Sequence, residues 1–154
     1  MLKRVGVRTR ENVMTKVAEV MTRGVQTIAP HESIRRAAEL MDELNVGALP
    51  VCDGTRVKGV VTDRDIVVRA VSVGKEASCT VQEVASEPVE WCLEDDEVHD
   101  AMRRMEQLQI RRMPVLDSEK NLVGMLALGD IAVYSDGEVS STIQAISTPS
   151  APDR

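Results

Sequence analysis

The chain is almost without aromatic rings. Phe is absent, and Trp91 and Tyr134 are its two large rings in 154 residues. A surface that stacks bases between rings is therefore excluded, and the interior has to be built from Val, Ile, Leu, Ala and Met. Any flat ligand would be gripped by aliphatic side chains. Cysteine is scarce: Cys52, Cys79 and Cys92 are odd in number and include no CxxC, which argues against a disulfide framework and against a zinc site. No apolar run approaches the ~20 residues that span a bilayer, and the first residues lack the apolar stretch of a secretory leader. The expectation is a cytoplasmic protein with no membrane partner. A basic stripe is missing too. The formal net charge is −6, and Lys3, Arg4, Arg8 and Arg10 read as a solvated tail, so no nucleic-acid partner is expected.

What is present is a duplication. Hydrophobic residues make up 43% of the chain, enough for a packed core. Val17-Ala18-Glu19-Val20 aligns with Val81-Gln82-Glu83-Val84, and Leu49-Pro50-Val51 with Met113-Pro114-Val115, each 64 residues on. One extra residue near Asn121 then brings Gly59 over Gly124 and Asp65-Ile66 over Asp130-Ile131. Ile34, Ala37, Ala38, Met41 and Leu44 repeat their spacing in Val98, Ala101, Met102, Met105 and Leu108, one face of an amphipathic helix written twice.

Each copy reads as a strand (25–28; 89–93), the amphipathic helix, a strand (48–52; 113–116), a turn, a strand (57–61; 122–126), and a second helix beginning near Thr62 or Leu128. One β-α-β-β-α unit cannot bury its apolar face alone. The expectation is a mixed α/β fold in which two such repeats pack sheet to sheet with pseudo-twofold symmetry. Segment 1–16 precedes the first repeat (17–74), and 136–154 follows the second (80–135) as a helix and tail. Residues 11–21 and 139–146 are expected to be helical, and the Pro-rich end frayed.

The order Leu49-Pro50-Val51 followed by Gly59-Val60-Val61-Thr62-Asp63-Arg64-Asp65-Ile66, present in both halves, resembles a pair of CBS domains, the cystathionine-β-synthase-type regulatory repeat. The likeness spans roughly 17–134 and is nearest to small stand-alone bacterial pairs, some linked to hypoxic or stress responses. It implies a regulatory protein, not an enzyme. An adenosine compound such as AMP, ADP, ATP, NAD or S-adenosylmethionine would sit between the repeats, and no cofactor is required. A homodimer formed through the terminal helices of each repeat and a regulated protein of unknown identity are the implied partners.

The family motif G-x-x-[ST]-x-x-[DN] is matched by Gly59, Thr62 and Asp65. An ionised Asp65 can accept from both hydroxyls of a ribose diol. Thr62 would open a helix whose free N–H groups favour phosphate, and Gly59 admits close backbone approach. The same spacing is also a helix capping box, Thr as N-cap and an acid at N3, and the two readings are compatible. The second copy departs from the motif. Gly124 and Asp130 remain, but Ala127 replaces the hydroxyl residue. Conversely, Arg111 and Arg112 precede Met113-Pro114 where the first copy has Gly47 and Ala48. Such a basic residue either meets phosphate through its planar fork or is an ordinary surface arginine. The Asp65 cleft is thus expected to bind the adenosine moiety and the Asp130 cleft to be weaker, differently selective or empty.

The resemblance also brings Thr27, Ile28, Ala29, Pro30, Ala48, Leu49, Trp91 and Cys92 to the clefts, with Pro50 and Pro114 counted in the ligand-binding set; core packing accounts equally well for the apolar ones. His31 and His99 lack a second ligand at metal spacing, and the acidic run 94–97 suits a helix N-terminus. The opposing reading is a structural or interaction protein in which Thr62 and Asp65 only cap a helix.

Overall fold

The computed structural model describes residues 15–86 and 90–133. The elements run α1 (Val17–Val20), β1 (Thr22–Arg23), α2 (Ile34–Leu44), β2 (Ala48–Asp53), β3 (Arg56–Thr62), α3 (Asp63–Arg69), β4 (Cys92–Leu93), α4 (Val98–Leu108), β5 (Arg112–Leu116), β6 (Leu122–Ala127) and α5 (Leu128–Ala132). Short 3-10 turns lie at Val71–Val73, at the end of the first copy, and at Val81–Glu83, which opens the second.

Each amphipathic helix forms because its apolar residues recur on one face. Ile34, Ala37 and Met41 are buried, as are Val98, Ala101, Met102 and Met105. Ser33 caps α2 by accepting the Arg36 N–H at 3.2 Å. Both helices stop at the same left-handed residue, Asn45 (φ 53°) and Gln109 (φ 51°). There Val46 N–H turns back to Met41 O at 3.0 Å, and Ile110 N–H to Met105 O at 3.1 Å. Leu44 and Leu108 sit at that exit and are exposed, although they continue the apolar spacing. Ala38 is exposed while its counterpart Met102 is buried: the small side chain leaves the margin of the first helix uncovered, and the long one reaches back over the core.

The strands form a sheet in the order β1-β6-β5-β4 and a hairpin β2-β3. Isolated bridges extend the hairpin toward the same plan, Ile28 beside Val51 and Val60 beside Ser86. The correspondence is register-true. Cys92 pairs with Val115 as Ile28 does with Val51, and Thr22 pairs with Met125 as Ser86 does with Val60. Both hairpins carry a register irregularity at the same step, Val51/Cys52 and Val115/Leu116.

The leading segments cross over. Val17 of α1 and Met21 just after it pack in the core built from Cys92, Met105, Met113, Val115, Leu126 and Ile131, which is that of the second copy. Val81, Val84 and Ala85, their counterparts, pack in the core of Ile28, Ala37, Leu49, Val51 and Val61, that of the first. Backbone ties confirm the exchange: Val17 N–H donates to Asp96 O at 2.9 Å, and Val81 N–H to Glu32 O at 2.8 Å. Each copy completes the other, which is the physical content of the pseudo-twofold relation.

The expected opening strands are corrected by this exchange. In place of a strand over 25–28, Ile28 makes a single parallel bridge, and the strand lies earlier, at Thr22–Arg23, on the edge of the other copy's sheet. The second opening strand is the short Cys92–Leu93; Val89 lies outside the described residues. Of the helix expected over 11–21, the described part is Val17–Val20. The expected helix at 139–146 and the tail lie outside the described residues. Gly124 shows why β1 fits where it does: a Cβ there would come within 2.5 Å of Thr22 O, so only glycine lets the strand approach.

Candidate functional site

The register of the two hairpins brings the starts of β2 and β5 opposite the ends of β3 and β6, Ala48 beside Thr62 and Arg112 beside Ala127. Between the copies lies a cavity of ≈ 240 Å³. Its wall is Ala48, Val60 and Thr62 from the first copy and Ser86, Glu90, Ile110, Arg111, Arg112 and Pro114 from beyond it. It is smaller than the ~300–1,000 Å³ of a typical small-molecule pocket.

Thr62 is the N-cap of α3. Its hydroxyl accepts the Asp65 N–H at 3.0 Å, and Asp65 Oδ2 accepts the Thr62 N–H at 3.0 Å. The capping box read from the sequence is thus formed. Asp65 stands directly behind the cavity wall, with a side chain 13% exposed and Arg69 Nε 3.9 Å from its Oδ1. Helix α3 has only seven residues, so its dipole adds little at Thr62. The positive charge at the cavity comes instead from Arg111 and Arg112, both solvent-accessible. Glu90 faces the same space and is held by Arg104 at 3.3 Å; the other contact of that guanidinium is Trp91 O at 2.6 Å.

The residues expected at the clefts divide clearly. Ala48, Thr62, Arg111, Arg112 and Pro114 meet at this one cavity, with Asp65 behind Thr62. Arg111 and Arg112 therefore do not serve a separate second-copy cleft alone; they share a wall with the hydroxyl of the first copy. Ile28 and Leu49 are each 1% exposed and belong to the first core. Pro50 is buried and accepts the Ile28 N–H at 3.0 Å, and Gly59 is buried in β3. Pro30 is half-buried, and the neighbouring Ala29 N–H donates to Glu32 at 3.1 Å. Thr27 lines a different, smaller cavity of ≈ 170 Å³ with Gly24, Val25, Cys52, Gly54, Thr55, Leu122 and Val123. Cys92 is fully buried, and Trp91 carries Lys120 Nζ 3.9 Å above its ring. Asp130 repeats half of the capping box, accepting the Ala127 N–H at 3.0 Å, and Ala127 has no hydroxyl to complete it.

Val60, Ser86, Glu90 and Ile110 line the cavity without having been expected there. Ser86 had one faint signal: the repeat alignment sets it over Thr22, another short hydroxyl residue. Burial holds two thiols in the protonated form, Cys52 pushed up to about 11 and Cys92 to about 12. Among the described residues, no group of three or more His, Cys, Asp and Glu side chains could hold a metal ion.

The comparisons with known proteins agree with this architecture. The CBS-domain family model matches twice, at 17–72 and 81–137. The chain is 42% identical over 120 residues to the CBS domain-containing protein YhcV of Bacillus subtilis, covering 78% of this chain and 85% of that one. It is 34% identical over 141 residues to hypoxic response protein 1 of Mycobacterium tuberculosis, covering 90% and 98%. The crystal structure of Hypoxic Response Protein I, which has two coordinated zinc ions, superposes with TM-score 0.73 at 33% identity, covering 79% of this chain and all of the other. CBSX2 in complex with AMP gives 0.67 at 25% identity over 77% and 93%. The CBS pair of MJ0100, in complex with 5′-methylthioadenosine and S-adenosyl-L-methionine, gives 0.67 at 27% over 78% and 94%. With its two copies, its register-matched sheets and these relatives, the chain belongs to the CBS-domain family.

Proposed function

We propose that this CBS pair is a regulatory module that binds an adenosine-containing ligand in the ≈ 240 Å³ cavity between its copies. The observation that carries the reading is the meeting of Thr62, backed by Asp65, with Arg111 and Arg112 at one cavity. Asp65 is an acceptor suited to a ribose diol, and the guanidinium forks suit phosphate oxygens. Ala48, Val60, Ile110 and Pro114 give an aliphatic wall for a flat base, as a chain nearly without rings requires. The adenosine compounds in CBSX2 and MJ0100 support the ligand class. Two arginines against one glutamate favour a phosphate-bearing ligand (AMP, ADP, ATP or NAD) over the cationic sulfonium of S-adenosylmethionine. Binding between the copies shifts their packing, and a partner protein reads that shift.

The complete capping box at Thr62 and Asp65 also favours the second reading, a structural pair whose motif only starts a helix. Thermal unfolding with AMP, ATP, NAD and S-adenosylmethionine separates the two. A true ligand at about one hundred times its Kd stabilises the fold by about 2.7 kcal/mol; no shift with any of them leaves the structural reading. The exposed Val67, Val68, Val71 and Val73 on α3 and the turn after it support the homodimer as part of the same proposal. A native mass spectrum showing a dimer with bound nucleotide is the expected result, and the cytoplasm is the proposed compartment.

A further inference from the structure

Asp65 has three of the protein's own donors around it and does not itself line the cavity. An ionised carboxylate offers about four lone-pair sites. Oδ2 accepts the Thr62 N–H at 3.0 Å. Arg69 Nε stands 3.9 Å from Oδ1. Ser86 Oγ lies 3.5 Å from both oxygens. Thr62 and Ser86 line the cavity in front of Asp65, so a ribose diol that reaches the carboxylate from the cavity has to displace a resident. Thr62 N–H is fixed by the start of α3. Arg69 carries the neutralising charge and lies 3.5 Å from the Val84 and Ala85 carbonyls as well. Ser86 is neutral, is held through its side chain among the described residues only by these long contacts, and already lines the cavity.

We propose that Ser86 is a resident competitor for Asp65: its hydroxyl occupies the acceptor place that a ribose diol takes, and it swings away when the diol binds. The inference rests on the adenosine-ligand reading above and gives that reading a route to regulation. Ser86 N–H donates to Val60 O at 3.0 Å and ends the Val81–Ala85 passage packed in the first core. A ligand that dislodges the Ser86 side chain therefore acts at the residue whose backbone joins this segment to β3. The second copy has no such competitor among the described residues. Thr22 holds the matching place, and the hydrogen bond to Asp130 comes from the Ala127 N–H.

Calorimetric titration of the full chain with AMP tests this by sign. Ser86→Ala frees the carboxylate and is expected to bind AMP roughly two- to tenfold more tightly than the wild type. Ser86→Thr keeps the hydroxyl and is expected to return the affinity to the wild-type value. If the wild type binds AMP while Ser86→Ala binds it equally or more weakly, the competitor is overturned and the ligand reading stands. If the wild type binds none of AMP, ATP and S-adenosylmethionine, the ligand reading falls and this inference with it.

Discussion

The two copies put an aspartate at the same turn and surround it differently. Asp65 is enclosed by Thr62, Arg69 and Ser86, whereas Asp130 caps a turn whose first residue is the hydroxyl-less Ala127. Duplication supplied one backbone twice, and side-chain divergence made one end a charged, partly enclosed acceptor and the other a simple helix start. The arginines went the opposite way, to the second copy, yet they stand on the wall that Thr62 also lines. The copies differ, and one cavity draws its wall from both.

The reciprocal crossover is the most consequential part of this comparison to break. Val17→Ala and Val81→Ala remove fully buried side chains that each copy lends the other. Each is expected to cost about 1.5–3 kcal/mol in denaturant unfolding. Both should leave one cooperative transition, since neither core is complete alone; two separate transitions would show independent repeats. Gly124→Ala is next. The new Cβ meets the Thr22 backbone, which cannot yield as a side chain could, and about 1–3 kcal/mol of stability is expected to be lost. The capping difference is smaller and can be exchanged. Thr62→Ala should cost about 1 kcal/mol, and Ala127→Thr should recover a similar amount by completing the second box.

The smallest effect concerns the hairpin turns, where the copies differ in length. Asp117 accepts the Glu119 and Asn121 N–H groups, both at 2.9 Å. These bonds, the Asn121 amide foremost, hold its carboxyl below the usual range. The unfolded chain takes up this proton first as pH falls. The stabilisation is therefore present above the ordinary carboxylate pKa and lost as pH drops through the depressed folded value. A pH series of melting temperatures should show Asp117→Ala losing part of the wild type's acid-side slope.

Much of this was legible in the chain. The doubled helix face and the doubled Pro and Gly-Asp spacings locate β2, β3, β5, β6 and the two long helices, because period and punctuation are local properties. The crossover was not legible. Val17 and Val81 announce that they are buried, but an apolar side chain does not announce in whose core. The opening strands were misplaced for the same reason, since β1 is defined by its partner β6 and its own two residues are both exposed. Gly124 was the available clue: a strand glycine marks close backbone approach. At the cavity, Thr62, Ala48 and the arginines are named by the family resemblance, while Ser86 and Glu90 come from the short opening segment of the second copy, which carries no helical period and no motif residue to read.

Titration of AMP into the wild type, Asp65→Ala and Asp130→Ala tests the central claim most directly. The composite site predicts that Asp65→Ala weakens AMP by about tenfold or more, the loss of hydrogen bonds to a charged acceptor, and that Asp130→Ala weakens it far less. Equal losses, or a larger loss for Asp130→Ala, would contradict the account.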